Sequence, residues 1–346
     1  DTLRNTDWQL AYEPTNPAYR FNNICNYAHA NAKGTLIGKK PTFAHMKKHK
    51  KECELFFATP QANELTFRLA KECMTHHISA QNNNNLLLWV CVSGLDKAGH
   101  MFGPESVELI DMIYHLDKQL QDFMDFSVRH MQSDNILFCL TADHGVECIT
   151  ELLQKKGLDS ARRIQSSDLI NRINKKIESS YGVAKVIHDI KQPNLHLNRK
   201  ALEALPMAKQ AAIIADIKQQ LLKTKGIKKV WTYQELYTAT FTTDQLENYF
   251  KQQLFPGRSG DLIIQTYPYV IMNDDEYTKG TSHQTPYEYD THVPLILYNK
   301  SIGQAKIIHT KVWTLQLANT LAQILRVCKP SSSTFEALPG SLECLL

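Results

Sequence analysis

Asp96 and His100 stand four residues apart in Ser93-Gly94-Leu95-Asp96-Lys97-Ala98-Gly99-His100, and Asp143 and His144 are neighbours in Thr141-Ala142-Asp143-His144-Gly145. Carboxylates and neutral imidazoles are ligands that suit Zn2+. A spacing of four brings Asp96 and His100 together if the chain turns once. Adjacent residues point apart within a strand but converge where it bends, and Gly145 permits the bend. Each pair alone has a plainer account. An Asp-x-x-x-His pair is a common surface pairing, and the Asp of Ala-Asp-His-Gly serves as well to cap a following helix. The metal reading gains because both clusters follow apolar runs, where charge needs a partner. Two such runs in one open α/β sheet would project both clusters over the same edge.

The elements that must position them alternate. Thr59-Pro60-Gln61 opens a helical pattern through Phe67, Leu69 and Ala70 to about His77. Asn82 to Asn85 reads as a turn, and Leu86 to Ser93 as a strand buried on both faces. Leu109, Ile113, Leu116, Leu120 and Phe123 recur as the apolar face of a long helix, and Ile136 to Leu140 is a second buried strand. Strand, helix, strand predicts an α/β fold whose mostly parallel sheet is sandwiched by helices. Residues 150–255 are helix-rich and charged, with a short strand at Asn194 to Leu197, and are expected to form a cap or insertion within one domain spanning 1–346. Asp261 to Gln265 and Val293 to Tyr298 read as further strands, and Leu315 to Leu325 as a last helix. Residues 1–50 read as loop with short elements.

A chain of 346 residues can bury a substantial core, and no segment approaches the ~18 unbroken apolar residues of a membrane span. The net charge is +4, and the densest basic run, Lys47 to Lys51, reads as a solvated loop because no aromatic residues interleave with it. Nucleic acid is therefore not an expected partner. The eight cysteines include no Cys-x-x-Cys pair; Cys91 and Cys139 read as buried thiols within strands. The other six, Cys25, Cys53, Cys73, Cys148, Cys328 and Cys344, leave both disulfide pairing and compartment open.

A third element, Gly280-Thr281-Ser282-His283-Gln284-Thr285-Pro286-Tyr287-Glu288-Tyr289-Asp290-Thr291-His292-Val293-Pro294, completes a series. Together with Asp96-x-x-x-His100, Phe102-Gly103-Pro104-Glu105-Ser106 and Thr141 to Gly145, it resembles the metal-binding motifs of the alkaline phosphatase superfamily. The match is nearest to single-chain bacterial alkaline phosphatases related to the type I phosphodiesterases and nucleotide pyrophosphatases. It runs from about residue 50 to the C-terminus, with weaker segments from Ala58-Thr59-Pro60 to Ala70 and from Pro256 to Asp261. The resemblance implies two Zn2+: one held by Asp96, His100 and His283, the other by Asp143 and His144. His292 belongs by the same resemblance to the following strand and is left out. Tyr298-Asn299-Lys300 and Trp313 to Gln316 depart from the family pattern outside the metal shell.

The family's third ligand to the second zinc, its Thr or Ser nucleophile and its phosphate-gripping Lys and Arg have no counterpart in residues 1–50, where Thr2, Thr6 and Thr15 lack the required surroundings. The nucleophile is thus expected upstream of residue 1, and this chain alone is expected to be nearly inactive. The resemblance implies zinc-dependent hydrolysis of small phosphate monoesters through a phosphoryl-enzyme intermediate, in the periplasm or outside the cell. The alternatives are a phosphodiesterase or nucleotide pyrophosphatase, and a non-catalytic zinc-binding fragment. Nothing in the sequence sets the oligomeric state.

Overall fold

The protein is described by a computed structural model covering Ala11 and residues 56–79, 85–131, 136–243, 245–274, 280–301 and 304–340. The loop reading of residues 1–50, the basic run Lys47 to Lys51, most of the turn at Asn82, and Cys25, Cys53 and Cys344 lie outside the described residues.

Pro60 opens the helix Pro60–Ser79 at the position where a missing backbone N–H leaves no hydrogen bond unmade. Phe67, Ala70 and Met74 are buried against Phe123. Leu69 faces solvent instead, because two helical residues 200° apart cannot share a face with Phe67. In the long helix Val107–His130, the Ser106 hydroxyl accepts the Leu109 N–H at 3.0 Å, while Arg129 and His130 suit the negative end of the helix dipole. Met112 is fully buried where Ile113 was expected in the stripe, and Ile113 is half-exposed.

Leu86 to Ser93 departs from the expected strand buried on both faces. It forms no ladder among the described residues. Leu88, Val90 and Val92 pack on the Phe67–Phe123 cluster, whereas Leu87 and Trp89 point outward, with Trp89 66% exposed. Cys91 lies on that outward side and is exposed, which corrects its reading as a buried thiol; Cys139 is half-buried, and burial pushes its thiol up.

The α/β class holds. Helices lie against short sheets formed by β1 (Phe138–Thr141), β2 (Arg162–Ile164), β3 (Ile187–Lys191), β4 (Asn194–Leu197), β5 (Ile227–Thr232), β6 (Leu262–Thr266), β7 (Val270–Met272) and β8 (Leu295–Tyr298). β2 pairs in parallel with β7. β3, β4, β6 and β5 form an antiparallel sheet in that order. The helices Ser166–Tyr181 and Met207–Leu222 lay Ile173, Ile177, Ile213, Ile217 and Leu221 on it, making the largest apolar cluster of the described residues. The region 150–255 therefore completes its sheet with β6, beyond its own limit.

β1 and β8 decide the site. They pair antiparallel, with Thr141 opposite Leu295 and Leu140 opposite Ile296. The chain leaving β1 and the chain entering β8 thus lie at one end of the ladder. That end receives Asp143 and His144 from one side and the segment 283–292 from the other. The opposite consequence concerns surface: Leu140, Ile296 and Tyr298 turn the same way across this ladder, and all three are exposed. Among the described residues no helix is long and apolar enough to cross a membrane.

Candidate metal centre

Asp96 and His100 lie in the short helix Gly94–Phe102, so their spacing of four is one turn of helix. Asp96 Oδ1 stands 3.1 Å from His100 Nε2, 3.4 Å from His283 Nε2 and 3.9 Å from His144 Nε2. The rings of His144 and His283 stack, with centroids 3.5 Å apart. Four of the five residues singled out from the sequence therefore meet around one carboxylate oxygen. Asp143 differs: its side chain is 87% exposed and reaches the cluster through His144 Nε2, 3.5 Å from Asp143 Oδ2. His292 is exposed and faces Glu288.

Two backbone carbonyls orient the imidazoles. His100 Nδ1 donates to the Thr281 carbonyl at 2.9 Å, and His144 Nδ1 donates to the Gly145 carbonyl at 2.8 Å. A carbonyl accepts only, so each Nδ1 carries a proton and each Nε2 faces the centre, where it can offer its lone pair to an ion once it carries no proton of its own. Burial alone would raise the Asp96 carboxyl, but hydrogen bonds from His100 and His283 outweigh it and hold Asp96 well below the usual carboxylate range. The same contact with Asp96 raises His100. These residues fit a divalent ion: ligand atoms of Asp96, His100 and His283 all lie within 4.8 Å of one another, and the set of one carboxylate and two imidazoles suits a borderline metal.

The sequence reading missed the supports. The buried Thr281 gives its hydroxyl to the Glu147 carbonyl at 2.6 Å, and the Glu147 N–H reaches the Ser282 carbonyl at 3.3 Å. Gly145 is required sterically, since a Cβ there would lie 2.2 Å from the Tyr289 carbonyl oxygen. Arg163 on β2 bonds Glu151 twice, at 2.8 and 3.0 Å, Asn273 at 3.0 Å and the Gly280 carbonyl at 2.6 Å. Arg163 so ties Gly280, at the start of the third motif, to Glu151 and Asn273. A polar residue beside a ligand motif was the one available signal for Thr281. Nothing in the sequence marks Arg163.

Glu147 is 1% exposed, and its Oε1 has no hydrogen-bond partner. Burial, reinforced by the Asp290 charge and opposed by Arg163, pushes its carboxyl from 4.5 up to about 8. The fold therefore holds a proton between those values that the unfolded chain has released. Stability from this group is fully present below pH 4.5 and is lost as pH rises toward 8. Glu147→Gln should match the native chain in urea unfolding near pH 5 and exceed it at pH 8.5, by roughly 2–4 kcal/mol. An equal difference at both pH values would remove the buried proton from the account.

The model of the family described as type I phosphodiesterase / nucleotide pyrophosphatase matches residues 10–292, starting well upstream of the first motif of the resemblance. A calcium-transporting ATPase of Myroides odoratus is 28% identical over 89% of this chain and 57% of its own length. The alkaline phosphatase PhoV of Synechococcus elongatus is 26% identical over 88% of this chain and 54% of its own. The chain thus spans little more than half the length of these relatives. The crystal structure of the alkaline phosphatase PafA has the same fold, with a TM-score of 0.80 over 97% of this chain and 63% of that one, at 20% identity. Shared fold and the family match over most of its length agree: the chain belongs to the type I phosphodiesterase / nucleotide pyrophosphatase family.

Proposed function

We propose that the whole protein hydrolyses phosphate monoesters through a phosphoryl-enzyme intermediate, with two zinc ions held by Asp96, His100 and His283 and by Asp143 and His144. The observation that carries this reading is the meeting of three imidazole Nε2 atoms around one ionised Asp96 oxygen. Family membership and relatives named as alkaline phosphatases support the reaction class. When bound, the ions supply positive charge beside the attacking and departing oxygens of the phosphate. The chain's own work is positioning. Hydrogen bonds hold Asp96 well below the usual carboxylate range, and the Thr281 and Gly145 carbonyls fix the orientation of both rings before any ligand arrives.

Measuring hydrolysis of an aryl phosphate monoester and a diester by the whole protein, with zinc and then with a chelator, tests the proposal. Faster monoester turnover that the chelator removes is expected. Faster diester turnover would favour the second reading, a phosphodiesterase or nucleotide pyrophosphatase, which the family match itself supports. Zinc uptake without turnover of either would leave a zinc-binding protein. A periplasmic or secreted location is part of the same proposal, and cell fractionation decides it.

The two metal positions should differ in strength. Three protein ligands make an ordinary catalytic zinc site, and Asp143 with His144 supplies only two, one of them at the exposed rim. Metal analysis of this chain should give nearer one zinc than two; two tightly held ions would mean that a further residue completes the second site.

A further inference from the structure

Asp290 touches neither end of the imidazole cluster, yet it holds both loops that carry it. Its carboxylate Oδ2 accepts the Gln284 N–H at 3.1 Å, the Thr285 N–H at 2.9 Å and the Thr285 hydroxyl at 2.7 Å. These groups follow His283 directly. Its backbone carbonyl accepts the Gly145 N–H at 2.8 Å, the amide that follows His144 directly. Asp290 is 3% exposed, so neither set of bonds is diluted by water.

The loop it holds is strained. Gln284 sits at φ 117°, a conformation that a side-chain-bearing residue rarely adopts. Two consecutive amides turned onto one carboxylate oxygen keep it there. The turn on the other side is equally constrained, because Gly145 approaches the Tyr289 carbonyl so closely that no side chain fits. His144 and His283 stack between these two anchor points.

We propose that Asp290 is a positioning residue for the metal centre: its carboxylate fixes the His283 loop, its carbonyl fixes the Asp143–His144 turn, and one buried residue sets the separation of the two clusters. The metal part of this statement rests on the function proposed above; the positioning part does not. A residue that merely filled space would affect stability alone. One that positions affects ring placement and metal affinity, and an isostere that keeps an acceptor oxygen should restore both.

The test compares Asp290→Ala, Asp290→Asn and Thr285→Val with the native chain. Histidine resonances are read in metal-free protein carrying labelled histidine, with His144→Gln and His283→Gln assigning the two signals. Zinc affinity is read by competition with a chromophoric chelator, and folding by urea midpoint. Asp290→Ala should shift both the His144 and His283 signals and weaken zinc binding about 10–100-fold, the range seen when groups behind metal ligands are removed. Asp290→Asn should recover most of the loss, and Thr285→Val, which deletes one of three donors, should fall between it and the native chain. A folded Asp290→Ala with both signals and the affinity unchanged overturns the proposal. Asp290→Ala keeps the backbone carbonyl, so the His144 signal moves only because the freed loop carries that carbonyl with it; a shift of the His283 signal alone overturns the claim that one residue sets the separation of the two clusters. If Asp290→Ala does not fold, unshifted signals in both Asp290→Asn and Thr285→Val overturn the proposal, and graded shifts support it. A native chain that takes up no zinc would defeat the metal reading, while the resonance shifts still judge Asp290.

Discussion

Asp96→Ala should remove the first metal ion and, in the whole protein, lower kcat/KM about a thousandfold or more. Asp96 Oδ1 is the point on which His100, His283 and His144 converge, and the other candidate carboxylate, Asp143, stands out in solvent. Without Asp96 the first site keeps two neutral imidazoles and no anionic ligand, one donor short of a catalytic zinc site. An ion lost from beside a transferring phosphate costs several kcal/mol of transition-state stabilisation, and each 1.36 kcal/mol is about tenfold in rate. Asp96→Asn keeps the shape and one oxygen but not the charge, and should lie between. Zinc content and turnover measured on the same preparations provide the check. Full zinc occupancy and native turnover in Asp96→Ala would show that the convergence of histidines serves another purpose.

Gly145→Ala should be the most damaging change among the supports. The added Cβ would meet the Tyr289 carbonyl oxygen at 2.2 Å, and the obstacle is backbone, which cannot rotate aside like a side-chain end. Relief requires moving the turn after β1 away from the segment before β8, which breaks the Gly145 N–H bond to Asp290. Overpacking of this kind costs about 1–3 kcal/mol. The functional loss should be larger, about a hundredfold in kcat/KM, since a displacement near 1 Å at a catalytic group suffices for that. Gly99→Ala is the matched control. It too adds one methyl to a glycine beside the site, but its Cβ meets nothing nearer than Val146 at 3.9 Å, and it lies within a helix that favours Ala. Urea midpoints and kcat/KM of both variants decide the matter; equal behaviour would discard the steric argument.

What the sequence made legible follows physical range. Local signals survived: the period of Val107–His130, the helix after Thr59-Pro60 and the strand at Leu295–Tyr298 are set by neighbouring residues and could be read directly. Asp96, His100 and His144 were singled out because ligand chemistry restricts residue type so tightly, and His283 came only with the family resemblance of its motif. The errors arose where distant packing chooses. An apolar run such as Leu86 to Ser93 does not say whether both its faces are covered, and here only one is. Met112 took the place of Ile113 in the stripe of Val107–His130, while Leu109, Leu116, Leu120 and Phe123 pack as expected. Arg163 and Asp290 escaped notice because their partners lie far along the chain or are backbone groups. Only the folded arrangement assigns such partners.

The outward apolar side of this molecule has a colloidal consequence. Leu87, Trp89, Leu140, Ile296 and Tyr298 are all exposed beside a modest net charge of +4. Charge repulsion that weak is screened within about 8 Å at physiological salt, whereas apolar attraction between two such surfaces strengthens as strongly hydrated anions are added. The isolated chain should therefore salt out early, precipitating with sulfate at concentrations that leave most proteins of its size dissolved. It should stay dispersed in dilute buffer, with Trp89 emitting at the long wavelength of a water-exposed indole until association shields it.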